Sequence, residues 1–178
     1  EDKTITTVPT ETVTSDSAWL HKELLALPMQ AAEGEEYPRL ALYNIPGNTL
    51  DISPLPVTNP QDLQRWGDGE QLLLLGTGED GVQRPYRFNP ADDSIARAFE
   101  FIDAPVDRIS YAPESGILAW SSPESTELMK DDGTSLKVFT GIQRAIPHPE
   151  GRYVALEVIG EGISPFDQRA WGEPVSYT

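Results

Sequence analysis

Thr126 to Val158 reads TELMKDDGTSLKVFTGIQRAIPHPEGRYVALEV, and this stretch decides the fold. Two short runs, TELMK and LKVFT, flank Asp132-Gly133, a pair that supplies positive φ cheaply at a tight turn. Two more, IQRAIP and RYVALEV, flank His148-Pro149-Glu150-Gly151. The second half of this phrase has two counterparts upstream, LQRWGDGEQLLLLGTG from Leu63 and VDRISYAPESGILAWSS from Val106. Each opens with an apolar residue, a polar residue and an arginine, passes a Gly- or Pro-bearing turn, and re-emerges as a dense apolar run. A unit that recurs about every 35 to 45 residues is the signature of a repeat architecture.

Working outward, each phrase grows into about four strands. RPYRFNP and IARAFEFID follow the Leu63 phrase, with a turn expected at Asp92-Asp93. The final unit ends in AWGEPVSYT and lacks a fourth strand. Upstream, LLALPMQ and RLALYNI read as strands joined by the acidic loop AAEGEEYP, and LDISPLP as a Pro-interrupted edge strand. LHKELLAL and ARAFEFI would each cover two helical turns, but Gly, Pro, Asn or Asp recurs too often to leave windows of helical length. The expected class is all-β: a β-propeller of about four antiparallel blades, at about 15–58, 59–103, 104–140 and 141–178. Residues 1–14, rich in Thr and Glu, read equally as a leader or as a strand that closes the last blade.

TELMKDDGTSLKVFTGIQRAIPHPEGRYVALEV resembles the WD40-like (PD40) repeat of TolB-type β-propellers. Pro149-Glu150-Gly151 and Tyr111-Ala112-Pro113-Glu114 stand where that family carries its Ser-Pro-Asp-Gly turn. The stretch RFNPADDSIARAFEFIDAPVDRISYAPESGILAW matches in the same way, so the resemblance covers about Leu63 to Val158. It implies a fold and transfers no catalytic residue, because the landmarks of the repeat are turns and core positions. Rings of six or seven blades at about 40 residues each need roughly 240 to 300 residues. The chain has 178, so it is expected to be part of a larger six- to eight-bladed ring, or a ring that four blades close. An open array exposes apolar blade faces and invites homo-oligomerisation. The resemblance, the absence of an initiator Met and the Thr-rich leader together place the protein outside the cytoplasm as an expectation.

Composition narrows the partners. A formal net charge of -16 repels a phosphate backbone, which argues against nucleic acid. No apolar run approaches the roughly 20 residues that span a bilayer, so no membrane insertion is expected in this segment. Cys is absent, which removes disulfides and thiolate metal sites.

Arg65, Arg108 and Arg144 recur at the same place in the phrase, in what should be the innermost strand of each blade. Three converging guanidiniums would bind a small anionic ligand bidentately. The plainer reading pairs each with a nearby acid such as Asp62, Asp107 or Glu114. His21 and His148 lie in unlike contexts with no third ligand nearby, and His148, between two prolines, reads as turn packing. The Asp-rich turns at 78–81, 89–93 and 130–133 lack EF-hand spacing, so no metal and no cofactor is expected. Gly162-Ile163-Ser164-Pro165-Phe166 is not a nucleophile elbow, and Gly76-Thr77-Gly78 has no helix to aim at a phosphate. No catalytic residue is therefore assigned. The four tryptophans read as packing between blades more than as a carbohydrate platform. The expected role is a non-catalytic module that binds a protein partner or ligand. The alternative is the propeller portion of a prolyl-oligopeptidase-like serine peptidase or other hydrolase whose catalytic domain lies elsewhere.

Overall fold

The computed structural model describes residues 17–67, 69–158 and 175–176, and among these it is all β. Blade 1 contains β1 (Ala18–His21), β2 (Leu24–Met29), β3 (Arg39–Asn44) and β4 (Thr49–Pro54). Blade 2 contains β5 (Thr58–Trp66), β6 (Gln71–Thr77), β7 (Gln83–Asn89) and β8 (Ser94–Arg97). Blade 3 contains β9 (Arg108–Ala112), β10 (Ile117–Ser121), β11 (Thr126–Lys130) and β12 (Ser135–Phe139). Blade 4 contains β13 (Ile142–Pro147), β14 (Tyr153–Val158) and β15 (Val175–Ser176). Each sheet is a meander in chain order, antiparallel at every pairing described, as a propeller blade requires. The leader, the Gly162–Phe166 segment, Trp171 and the position of a fourth strand in the last blade lie outside the described residues.

The chain divides into two compact units, residues 1–81 with 86–96, and residues 82–85 with 97–178. In the first unit, blades 1 and 2 share one core. Leu20, Leu40, Leu55, Leu72, Leu74 and Phe88 are each at most 1% exposed and cluster together. Burying such a side chain contributes roughly 1.5–3 kcal/mol. Alternate residues of a strand point to opposite faces, so Leu73 and Leu75 face away from this cluster, yet they too are fully buried. This explains the unbroken QLLLL run, because a middle strand covered on both sides has no position for a polar residue.

β5 begins five residues earlier than LQRW suggests. Its register slips twice: Thr58 to Gln61 spans three residues against two in β6, and so does Gln61 to Gln64. Asn59 (φ 50) and Asp62 (φ 49) sit inside these two steps with left-handed backbones. They are β-bulges, and Asn and Asp are the non-glycine residues that tolerate this conformation best.

In the second unit the turns behave as the repeat predicts. Ser115 N donates to Ala112 O at 3.2 Å, and Gly151 N donates to His148 O at 2.8 Å. Gly116, the residue after Ser115, and Gly151 itself have φ of 64° and 69°. Ala119 and Leu128 of blade 3 cluster with Ala145 and Val154 of blade 4, and Ile117, Phe139 and Leu156 pack around them. The fully buried Thr126 ties the same two blades: its Oγ1 donates to Ile142 O at 2.7 Å and lies 2.8 Å from Ser121 Oγ.

Two strand expectations are corrected. AWLH forms β1, which the sequence reading overlooks because Asp16, Ser17 and Lys22 bracket only four residues. IARAFEFID is not a strand throughout: β8 ends at Arg97, and Phe99 turns the chain with φ 53. By contrast, LDISPLP supplies the outer strand β4 of blade 1, paired only with β3.

Gly76 gives a direct test of the packing in the first unit. A Cβ there would lie 2.6 Å from Val57 Cγ2 and 2.8 Å from Val57 Cβ, so the branched side chain or the strand must move. Gly76→Ala is expected to lower unfolding stability by about 1–3 kcal/mol in urea titration. Gly69→Ala, whose Cβ would meet nothing closer than 3.9 Å, is expected to stay within about 0.5 kcal/mol of the parent.

Candidate functional site

Hairpin register fixes where each arginine sits. Counted from the turn of its own first hairpin, Arg65 is in the second pair, opposite Leu72, while Trp66 pairs with Gln71 in the first. Arg144 is in the fourth pair, opposite Glu157. Arg108 is in the fifth, opposite Ser121. With a rise of about 3.3 Å per residue, Arg65 therefore stands roughly 7–10 Å nearer its turn than the other two stand to theirs. The three share a place in the sequence phrase but not in the hairpin, because the turn after Arg65 arrives sooner.

All three side chains are partly buried. Arg65 is committed at least in part to the architecture: its Nη1 donates to the Leu20 carbonyl at 3.5 Å, joining β5 to β1. That acceptor, 45 residues upstream, lies on the strand the sequence reading missed, while Asp62 sits in a bulge of β5 with a left-handed backbone. One residue on, the Arg87 guanidinium lies 5.9 Å from the Trp66 ring centroid, a cation–π distance. Trp66 is thus part of the fabric of blade 2, whereas Trp19 on β1 is 53% exposed.

The histidines serve turns. His148 Nδ1 accepts from Glu150 N at 3.2 Å, and its ring meets Tyr153 edge-on with centroids 6.3 Å apart. His21 Nδ1 accepts from Glu23 N at 3.3 Å, and its Nε2 lies 3.7 Å from Glu70 Oε1. The Asp-rich turns also spend their oxygens locally. Asp92 Oδ1 accepts from Ser94 Oγ at 2.6 Å and Ser94 N at 3.1 Å, and Asp132 Oδ1 from Thr134 N at 2.8 Å. The bonds from Ser94 hold the Asp92 carboxyl below its usual range, and those from Thr134 do the same for Asp132. Among the described residues, no three His, Asp or Glu side chains are grouped to hold a metal ion. Nor is there a helix long and apolar enough to cross a membrane.

One cluster escapes sequence reading altogether. Tyr111 OH donates to Asp131 Oδ2 at 3.1 Å, and Asp131 N donates to Gly116 O at 2.9 Å, which binds the β11–β12 turn to the β9–β10 turn. Phe99 meets the Tyr111 ring edge-on at 5.2 Å and Phe101 at 5.9 Å. Phe101 is 43% exposed, and its ring lies over Gly133. The only sequence signal was the doubled Asp131-Asp132, whose two carboxylates do different work: Asp132 caps its own turn and Asp131 reaches the neighbouring hairpin.

Neither a family model nor a curated protein matches the chain. Solved structures do. TolB from Acinetobacter baumannii superposes with a TM-score of 0.58 at 15% identity, over 83% of this chain and 38% of that one. A chain of the nidogen/laminin complex gives 0.55 at 12% identity, over 80% and 54%. The β-propeller domain of the Trilobed protease from Pyrococcus furiosus, described as having an open velcro topology, gives 0.52 at 13% identity, over 79% and 46%. These likenesses establish the β-propeller fold, and the chain spans about half the length of the chains it matches or less.

Burial first, then the Asp131 charge and hydrogen bond, push the Tyr111 phenol up to about 12. Because the folded value lies above the unfolded one, the associated stability is fully present below about pH 10 and is lost as pH rises toward 12. Absorbance titration of the phenolates is expected to show one tyrosine ionising near pH 12. In Asp131→Asn that tyrosine should ionise at lower pH, and an unchanged titration would contradict the pairing.

Proposed function

We propose that this chain is a non-catalytic segment of a TolB-type WD40-like β-propeller that works outside the cytoplasm as a binding or scaffolding module for a protein partner. The observation that carries this reading is the fate of the chemically capable side chains. Both imidazoles accept turn N–H groups, Asp92 and Asp132 cap their own turns, and Arg65 holds a strand carbonyl of the neighbouring blade. Side chains engaged in this way stabilise the blades and leave recognition to surfaces. The net charge of -16 favours cationic or neutral partners over nucleic acid. TolB-like structure supports the family reading and, through it, the extracytoplasmic location.

A second reading has its own support: one of the similar structures is the propeller domain of a protease. On that reading the chain is the propeller portion of a serine peptidase or other hydrolase, and catalysis belongs to a separate domain. Neither reading gives this chain a nucleophile. Treatment with a fluorophosphonate serine-hydrolase probe is therefore expected to leave it unlabelled, and stoichiometric labelling detected by intact-protein mass spectrometry would overturn the non-catalytic assignment.

A small anion at Arg65, Arg108 and Arg144 remains the ligand-binding form of the proposal. Calorimetric titration with citrate or phosphate tests it. Binding by the parent that disappears in a folded Arg65→Gln, Arg108→Gln, Arg144→Gln variant supports the site. No binding by the parent, or equal binding by the triple variant, removes it.

A further inference from the structure

Where the chain passes from blade 3 to blade 4, two buried hydroxyls and one carbonyl form a directed chain. Thr126 is 0% exposed and Ser121 3%. The Ile142 carbonyl only accepts, so the 2.7 Å contact uses the single hydroxyl proton of Thr126. None is left for Ser121, and the 2.8 Å bond between the two side-chain oxygens is therefore donated by Ser121. The order runs from Ser121 to Thr126 to Ile142 O, and each bond polarises the next. Ser121 and Thr126 face each other across β10 and β11 of blade 3, whereas Ile142 is the first residue of β13. The last bond of the chain is thus the one that crosses to blade 4.

The apolar seam beside it is thin. Blades 1 and 2 share a cluster of eleven buried residues, seven of them leucine. The described cluster between blades 3 and 4 has four, Ala119, Leu128, Ala145 and Val154, with Ile117, Phe139 and Leu156 partly buried around them. Apolar stabilisation follows the area removed from water, so two alanines in four leave the hydrogen bond a larger share of the docking. Gly141, one residue before Ile142, has φ of 72° and nothing within 4 Å of where a Cβ would stand. It and Thr140 are exposed. A short, uncrowded connection of this kind can absorb a change of backbone angle.

We infer that blade 4 opens from blade 3 as a unit, turning about Gly141, and that the Ser121–Thr126–Ile142 chain is the latch that holds it closed. Opening breaks the one bond that crosses the seam and exposes Ala119, Leu128, Ala145 and Val154. A polar group left unbonded while still buried is costly, so the half-open seam is disfavoured. Either the blade is seated with the bond made, or it is open with both groups hydrated. The latch also selects one seat: alanines tolerate sliding, but only one register brings a carbonyl within reach of Thr126 Oγ1. This property requires neither a ligand at the arginines nor a catalytic domain elsewhere.

Because the chain has no cysteine, a single introduced thiol reports access at a chosen point. Ala145→Cys places it in the seam, where the alanine is 2% exposed, and Ala26→Cys in the core of blades 1 and 2, where the alanine is 0% exposed. In native buffer the Ala145→Cys thiol is expected to react with an aromatic disulfide reagent at least about tenfold faster than the Ala26→Cys thiol, because local opening reaches only the first. Adding Thr126→Val, which keeps the shape and removes the hydroxyl, should accelerate Ala145→Cys by about tenfold or more and leave Ala26→Cys unchanged. Thr126→Ser keeps the hydroxyl and should label more slowly than Thr126→Val. Equal labelling of the two thiols with Thr126 in place would overturn the proposal whether or not the valine variant folds. So would an acceleration shared by both sites in Thr126→Val, no acceleration at all, or labelling of Thr126→Ser as fast as that of Thr126→Val.

Discussion

The second strand of blades 1, 2 and 3 is buried on both faces, and this constraint governs most of what the chain does with its residues. β6 shows it in the strongest form, with Leu72 to Leu75 consecutive and each 0% exposed. Such a strand is stable only while something apolar lies on either side of it, because losing that cover costs a few kcal/mol per leucine. In the first unit blades 1 and 2 provide cover for each other through Leu20, Leu40 and Phe88; in the second, Ala119 and Leu128 meet Ala145 and Val154. Polar residues are pushed mainly to strand ends and turns.

That displacement explains why motif reading yields so little function. A propeller turn needs a left-handed residue and an acceptor for the turn N–H groups, and His148, Asp92 and Asp132 fill the second role. Between blades, a polar bridge is affordable only if it is satisfied. Thr126 bonding to the Ile142 carbonyl and Arg65 bonding to the Leu20 carbonyl meet that condition. Residues that resemble a site in one dimension are thereby absorbed into the scaffold. Large apolar side chains such as Ile146 and Tyr153 remain exposed outside that scaffold.

Much of the fold was legible because turns are local. Asp132-Gly133 and Pro149-Glu150-Gly151 announce hairpins through backbone conformations that few other residues adopt, and the runs between them have strand length. β1 was not legible, since four residues between polar neighbours carry too little pattern to register. The early start of β5 was hidden by Asn59, Pro60 and Asp62, residue types that favour turns; here Asn59 and Asp62 lie in bulges of a continuous strand. Phe99 misled in the opposite sense: its apolar side chain suits a strand, while its backbone turns out of one.

From sequence alone came the class, the repeat and the order of strands within a blade, because these depend on contacts between near neighbours. The tertiary structure decided what each polar side chain faces. Arg65 finds a carbonyl 45 residues away, Tyr111 finds Asp131 across two hairpins, and Arg65, Arg108 and Arg144 stand at different distances from their turns. The physical reason is register. A bulge or an earlier turn shifts a side chain along the strand or turns it to the other face, and a shift of one or two residues is invisible in a repeat defined by its turns.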